Sequence, residues 1–484
     1  MPTLANKLEA SKKTYGPHLV IKALAGTGKT TSLIEGAGER LGTKSKLTPS
    51  DEQQALWDAM MLGDKPSSVA FCSFGKAIAN ELEKRVPPGC EGATMHRLGN
   101  RIVTKQFGRL NLEQDHVQNV ISEVTGKDIW DLRKRDQPLL KGTSKLVDLC
   151  KQNLCDGTPE ELDMLTSHYD VDLNNSKERI YALVPDVLEH CKEVDRYLEM
   201  DYNDMIWLPV VLDLPADRIG LLMVDEAQDL NRGQQALALK LGLRLGLCGD
   251  INQAIYGFAG ADSESIPRME AVLEDTELGC MSLPLTVTRR CGKAIVAEAQ
   301  KLVPEFAAHE SNSDGAVTNE SFGTYANKAK DGDMAVCRIN APLVGNCFKF
   351  LKQGRKATIQ GRDVGKGLVS TIKKLKASTI SDLVRKLNDW HHQQCMVESN
   401  KRFPKESKIQ MLGDKRDCIE CFCQNNSTVD KVINSIQAIF TDNKDNPGIV
   451  LSSIHRAKGL EAKRVFFLQP PGVDFPAKSK WQQQ

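Results

Sequence analysis

Lys29 stands in the run Ala23-Leu-Ala25-Gly26-Thr27-Gly28-Lys29-Thr30-Thr31. Gly26 and Gly28 let the backbone turn tightly, so that successive N–H groups face one anion, and a helix starting there adds the positive end of its dipole. An ammonium at Lys29 suits the β- and γ-phosphates of a nucleoside triphosphate, and a hydroxyl at Thr30 suits Mg²⁺. The run lies between an apolar strand candidate and a helical segment, which is the setting a phosphate-binding loop requires. Where the usual pattern opens on glycine, this chain has Ala23. A glycine-rich turn without a ligand is the bland alternative, and a second constellation weighs against it. Asp225-Glu226-Ala-Gln-Asp229 follows directly on the apolar run Ile219–Val224. Carboxylates at the end of a buried strand are costly unless they meet a cation or water. Asp225 is placed to hold Mg²⁺, and Glu226 to orient and deprotonate the attacking water.

Such residues need strands to carry them. Leu19–Ala23, Ser68–Phe71, Ile219–Val224 and Leu243–Cys248 are short apolar runs, and Thr30–Arg40 and Lys76–Val86 have helical spacing. Buried strands alternating with helices predict an α/β fold around a parallel sheet, with ligands at the strand C-termini. Residues 112–215 are polar and rich in helix formers, and so read as a helical insertion, because a structureless loop of that length is rare. A second α/β set starts at about residue 285, with Met334–Ile339 as a strand, and returns at Gly448–Ser453 and Arg464–Leu468. The expected layout is one α/β domain over 1–111 and 216–284, a helical insertion at 112–215, a second α/β domain over 285–372 and 446–484, and a second helical insertion at 373–445.

Further motifs occur in a fixed order. They are Ser73-Phe74-Gly-Lys76-Ala-Ile-Ala79, Thr94-Met-His96, Gly249-Asp-Ile-Asn-Gln253-Ala-Ile-Tyr256-Gly-Phe258, Thr288-Arg289-Arg290-Cys291, Arg338-Ile-Asn340 and Ser453-Ile-His455-Arg-Ala-Lys458-Gly459-Leu-Glu461. Together with the phosphate loop and the acidic segment, the chain resembles the UvrD/Rep-type superfamily 1 DNA helicases over about residues 19–468. That resemblance implies two RecA-like motor domains that close on ATP and Mg²⁺. Ala25, Gly26, Thr27, Gly28, Lys29, Thr30, Thr31 and Glu461 would bind nucleotide, and Thr30 and Asp225 the metal. Glu226 would be the base, Gln253 would sense the γ-phosphate, and Arg290, or Arg289 in its place, would reach that phosphate from the second motor domain. Phe74, Thr94, His96, Tyr256, Phe258 and His455 would contact DNA. Aromatic stacking there adds ~1–3 kcal/mol per base; a core role for Phe258 is the competing reading. The implied activity is 3′→5′ movement on single-stranded DNA and at single/double-strand junctions. A translocase that strips proteins, or a DNA-dependent ATPase switch that does not unwind, would use the same residues.

Two family features are not found where expected. No adenine-reading glutamine precedes the phosphate loop, and Thr48–Gln54 reads instead as the start of a surface helix. The family's last motif, with a Thr-Arg-Ala core, should follow Leu468 within a few tens of residues, and its absence before Gln484 predicts a truncated chain. Cys418, Cys421 and Cys423, with His391, His392 and Cys395 upstream, lack the two spaced pairs of a zinc site and read as small apolar residues on a helix. The 64 basic and 63 acidic residues balance to a net charge of +1, so a nucleic-acid groove would have to be local. Fourteen cysteines without a framework fit a reduced, cytoplasmic setting. No run reaches the ~18 apolar residues of a membrane span, and Met1–Gly16 lacks the apolar core of a signal peptide.

Overall fold

A computed structural model of the chain describes residues 15–73, 83–169, 171, 173, 176–254, 264–321, 324–400, 404, 406–441 and 448–470. Phe74, Tyr256 and Phe258 lie outside the described residues. The chain divides into two compact units, Met1–Val317 and Thr318–Gln484.

The first unit is built on strands β1 (His18–Ala23), β2 (Val69–Ser73), β3 (Cys90–Thr94), β6 (Ile219–Val224), β7 (Gly242–Gly249) and β8 (Cys280–Leu285). They form one parallel sheet in the order β3-β2-β6-β7-β1-β8. β1, β2 and β6 are almost wholly buried, as a sheet covered on both faces demands of its apolar runs. Helices α1 (Lys29–Leu41) and α2 (Asp51–Met60) cover one face through Leu33, Leu56, Trp57 and Met60. Helix α3 (Met95–Phe107) and later helices cover the other through Leu98, Leu237 and Leu273. Register places Ala23 opposite Leu285 and Lys22 opposite Gly249. The C-terminal ends of β1, β7 and β8 therefore share one edge of the sheet.

Between α3 and β6 run the short parallel pair β4 (Asn111–Leu112) and β5 (Glu199–Met200), and helices α4 (His116–Thr125), α5 (Ile129–Arg135), α6 (Gln137–Asn153), α7 (Pro159–His168), α8 (Lys177–Cys191), α9 (Val194–Tyr197) and α10 (Asp204–Val211). They enclose their own core, including Leu146, Leu162, Val184 and Trp207. Within it Lys151 is fully buried, 2.8 Å from Asp201 and 2.6 Å from Asp204. Unmatched, any of these charges would be strongly destabilising. Helix α11 (Arg232–Leu241) follows β6, and α12 (Ser265–Glu274) precedes β8.

Sequence pattern places the domain boundary at residue 285. By contacts it falls between Val317 and Thr318, so the segment 285–317 belongs with the first unit. The cause is β8, which pairs with β1 over six residues, and the chain that follows it. Past β9 (Val287–Thr288) and helix α13 (Lys293–Ala299), β10 (Ala307–Ala308) pairs back to β9. Val296 and Phe306 of this segment pack on Leu24 of the phosphate loop.

The second unit holds helix α14 (Tyr325–Lys328), β11 (Met334–Cys337), α15 (Ala341–Lys352), β12 (Ala357–Ile359), α16 (Arg362–Leu375), α17 (Ile380–Ser399), α18 (Glu406–Gln424), α19 (Val429–Ile439), β13 (Ile449–Ser453), α20 (Ile454–Ala457) and β14 (Val465–Leu468). Its sheet is parallel in the order β12-β13-β11-β14, over a core that includes Phe350, Phe422 and Phe440. Cys418, Cys421 and Cys423 lie on α18, and burial pushes the Cys423 thiol up to about 11. Among the described residues no group of three or more His, Cys, Asp or Glu side chains is placed to hold a metal. None of the described helices is long and apolar enough to cross a membrane.

Gly99 of α3 marks the closest approach between the first sheet's helical layer and the insertion. A Cβ there would stand 2.0 Å from the Met205 carbonyl oxygen of α10. Backbone cannot give way as a flexible side chain can, so Gly99→Ala should lower stability by ~1–3 kcal/mol. A urea unfolding midpoint equal to that of the unaltered chain would refute this close approach.

Candidate nucleotide site

The turn from β1 to α1 is shaped by its glycines. Gly26 and Gly28 have φ of 71° and 81°, in the region that favours glycine. Thr27 is spent on the turn itself, donating from Oγ1 to the Leu24 carbonyl at 2.9 Å. Ser32 donates back to Gly28 O at 2.9 Å. Ala25 packs with Leu24 against Val296 and Phe306. Lys29 and Thr30 are thereby presented on the first turn of α1, at the edge of the sheet where β6 and β7 also end.

Both partners come from β6. Lys29 Nζ lies 3.3 Å from the carboxylate of Glu226, and Thr30 Oγ1 donates to Asp225 Oδ2. Asp225 is only 2% exposed. Burial, then the neighbouring Glu226 charge, raise its pKa, while the Thr30 hydroxyl and Lys29 pull the other way. Burial alone would lower the pKa of Lys29; the charges of Glu226, Asp225 and Asp250 outweigh it, so the ammonium is held protonated. Glu226 reaches its place through a left-handed backbone, φ 54°. For a non-glycine residue this costs ~1–2 kcal/mol. The turn aims two successive side chains at one loop, whereas a continued strand would point them to opposite faces.

A hydrogen-bonded chain continues from the acidic pair. Gln228 Nε2 donates to Glu226 Oε2 at 2.7 Å, and its Oε1 accepts from Asp250 N at 3.1 Å. Asp250 Oδ2 in turn accepts from Gln253 Nε2 at 2.7 Å. Burial raises the pKa of Asp250, and Lys29 and the Asn252 amide oppose that shift. Gly249 gives Gln228 its room, because a Cβ there would lie 2.3 Å from Gln228 Oε1. Gln253 is thus joined to the acidic pair through two intermediates. Sequence quoted Gln228 and Asp250 without giving either a role.

Arg289 and Arg290 were expected on the second α/β domain. They lie instead in the first unit, against the phosphate loop. Arg289 N donates to Gly26 O at 3.0 Å, and a Cβ at Gly26 would stand 2.6 Å from Thr288 Oγ1 and 2.7 Å from Arg290 Cβ. Asn312 Nδ2 fixes this strip by donating to Thr288 O and Cys291 O, each at 2.8 Å. On its other side stands Glu52, in the first turn of α2. The Glu52 carboxylate accepts from Thr286 N at 2.7 Å, Thr286 Oγ1 at 2.6 Å and Val287 N at 3.4 Å. No sequence signal marks Glu52, since an acidic residue in a first helical turn is ordinary.

Helix α2 is amphipathic. Its cap is a reciprocal box, with Ser50 Oγ accepting from Gln53 N and Gln53 Oε1 accepting from Ser50 N. Gln53 Nε2 also donates to Ser32 Oγ at 2.8 Å, which ties α2 to the phosphate-loop helix. Thr31 accepts from Arg85 Nη2 at 3.1 Å, a contact the sequence did not suggest.

Of the residues expected at DNA, Thr94 and His96 lie at the start of α3 in the first unit and His455 lies in the second. Thr94 caps α3, its Oγ1 accepting from Arg97 N at 3.1 Å. His96 sits edge-on to Tyr202 with centroids 6.2 Å apart, and burial lowers its pKa. In the second unit burial and then Arg338 lower the pKa of His455, and Glu461, expected at the nucleotide, belongs to the same unit.

Glu52 is a positioning residue for the strip that carries Arg290. Losing a hydrogen bond to a charged acceptor removes ~1.5–3 kcal/mol, so Glu52→Ala should speed amide exchange at Thr286 and Val287 by about 10–100-fold. Glu52→Gln keeps an acceptor oxygen and should retain much of the protection. Equal exchange rates in all three proteins would rule the clamp out.

The chain is similar to known proteins over its first part. The UvrD/REP helicase N-terminal domain matches residues 4–273. The ATP-dependent DNA helicase PcrA of Staphylococcus aureus is 26% identical over 288 residues, covering 54% of this chain and 35% of that protein. DNA helicase II of Rickettsia typhi is 27% identical over 282 residues, covering 54% of this chain and 39% of its own length. The chain therefore matches only a little over a third of the length of these relatives. The family's domain covers more than half of the present chain, and on that match the chain belongs to the UvrD/REP helicase family.

Proposed function

We propose that the protein is an ATP-driven motor that moves 3′→5′ on single-stranded DNA and opens duplex at junctions, in DNA repair, recombination or replication. The observation that carries the reading is the joint placement of Lys29 and Thr30 against Asp225 and Glu226. In this proposal the two parallel sheets belong to two RecA-like motor domains, with residues 285–317 assigned to the first. The cytoplasm is its proposed setting, in keeping with cysteines that are all free.

Thr30 and Asp225 bring two hard oxygen ligands to one point, which fits Mg²⁺, a cation that takes one or two protein oxygens beside substrate phosphates. They would hold the ion, whose charge would offset that of the phosphates. The protein's own groups supply the rest. The loop amides and Lys29 seat the β- and γ-phosphates. Glu226, freed from Lys29 as the phosphate takes the ammonium, accepts the proton of the attacking water. Gln228 orients that carboxylate, and Gln253 reads the γ-phosphate at the far end of the same chain. Arg290 meets the γ-phosphate from the strip beside Gly26. His96 and His455 are assigned to DNA, together with Phe74, Tyr256 and Phe258.

DNA-stimulated ATP hydrolysis is the direct test. Lys29→Ala should lower turnover by ~10²–10³-fold, the scale of losing one preorganised donor to developing charge. DNA binding should survive. Glu226→Gln should bind ATP yet turn over ~10²–10⁴-fold more slowly, since the amide accepts no proton. Full turnover in Lys29→Ala would overturn the phosphate site, and full turnover in Glu226→Gln would remove Glu226 as base. Strand-displacement and translocation assays on a 3′-tailed duplex separate unwinding from movement alone.

A further inference from the structure

Helix α16 carries Arg362 and Lys366 in its first half and Lys373 and Lys374 in its last turn, and Lys376 caps its end. All five are exposed and line one cleft of about 920 Å³ between α16 and α19. Among the described residues no carboxylate lines it. Two described acids near it are engaged elsewhere. Asp363 pairs with Arg456, and Asp382 pairs with Arg385 and Lys386. Among the described residues, Lys366, Lys373, Lys374 and Lys376 have no acidic partner.

Positions 362, 366 and 373 fall at i, i+4 and i+11, within one narrow arc of the helix, and Lys376 follows its end with a left-handed backbone. At 1.5 Å per residue the three helical positions extend over about 16 Å. A helix C-terminus favours cations, which accounts for Lys373 and Lys374. It does not account for Arg362 and Lys366, which stand against the dipole at the other end. The floor is closed rather than open to an apolar ligand. Gly365 lets α19 and the chain after it come close, a Cβ there meeting Phe440 Cβ at 2.8 Å, and Val369 and Phe440 are buried. A row of exposed cations over a sealed apolar floor suits an extended polyanion, and lacks the deep slot a single phosphate group would occupy.

We propose that this face of α16 binds the phosphodiester backbone of DNA, as a sequence-independent site separate from the motif residues assigned to DNA above. The site rests on the reading of the chain as a DNA motor. It is compatible with the near-zero net charge, because a local row of cations can hold a polyanion without a basic protein overall. Backbone contact of this kind releases counterions, and its signature is the dependence of affinity on salt.

The test is fluorescence anisotropy of the whole chain with a labelled single strand, a blunt duplex and a 3′-tailed duplex, each over a range of KCl. For Lys366→Gln/Lys373→Gln the slope of log K against log[KCl] should become shallower by about 1.8 on duplex or about 1.4 on single strand, from ~0.9 and ~0.7 per phosphate contact. The substrate that shows the change identifies which form of DNA lies in the cleft. Lys366→Arg/Lys373→Arg keeps both charges and should retain the original slope. Arg362→Gln/Lys376→Gln gives an independent pair should the first fold poorly. Unchanged slope and affinity in both Gln pairs, with binding by the unaltered chain intact, would overturn the cleft alone. An unaltered chain that binds none of the three DNAs would overturn the cleft and the DNA-motor reading together.

Discussion

A carboxylate that is 2% exposed must be compensated, and around Asp225 the rest of the site is arranged to do so. The Thr30 hydroxyl meets it directly and Lys29 adds charge nearby. Each of those partners depends on a backbone feature: two left-handed glycines deliver Lys29 and Thr30, and a left-handed Glu226 delivers the second carboxylate. The parallel sheet is what makes the meeting possible. With β1, β7 and β6 adjacent and running the same way, chemistry placed at each strand's end arrives at one edge.

From that edge, order spreads by hydrogen bonds. Glu226, Gln228, Asp250 and Gln253 form a chain that crosses from the end of β6 to the end of β7. Glu52 holds the arginine strip at Thr286 and Val287, and Asn312 holds it at Thr288 and Cys291. Much of this network lies in short elements at the sheet's edge, among them the 3₁₀ turns Ala227–Asp229 and Ile251–Gln253, where backbone groups find side-chain partners.

What could be read from sequence followed from whether the requirement was local. The glycine-rich turn and the acidic pair are legible as candidates, because each is a short run directly after an apolar strand. The helical character of 112–215 is legible for a similar reason, and its core includes Leu146 and Val184. Glu52 is illegible, since its partners Thr286 and Val287 lie more than two hundred residues away. The placement of Arg290 failed on pairing. Motif order carries it toward the second α/β set, while β8 adds to β1 and keeps the following chain with the first sheet. The lysines in and just after α16 are visible in the sequence, but the described acids Asp363 and Asp382 have to be seen paired elsewhere before the excess charge becomes apparent.

Gly26 serves two masters. Its left-handed turn shapes the loop, and its missing side chain also makes room for Thr288 and Arg290. Even a methyl group at position 26 would press on both loops at once. The two segments are therefore not free to diverge independently: a larger residue at 26 would be tolerated only together with a retreat of the 288–290 backbone, which Asn312 and the Arg289 amide hold in place. A lineage that lost this glycine would have to rebuild the arginine strip in the same step.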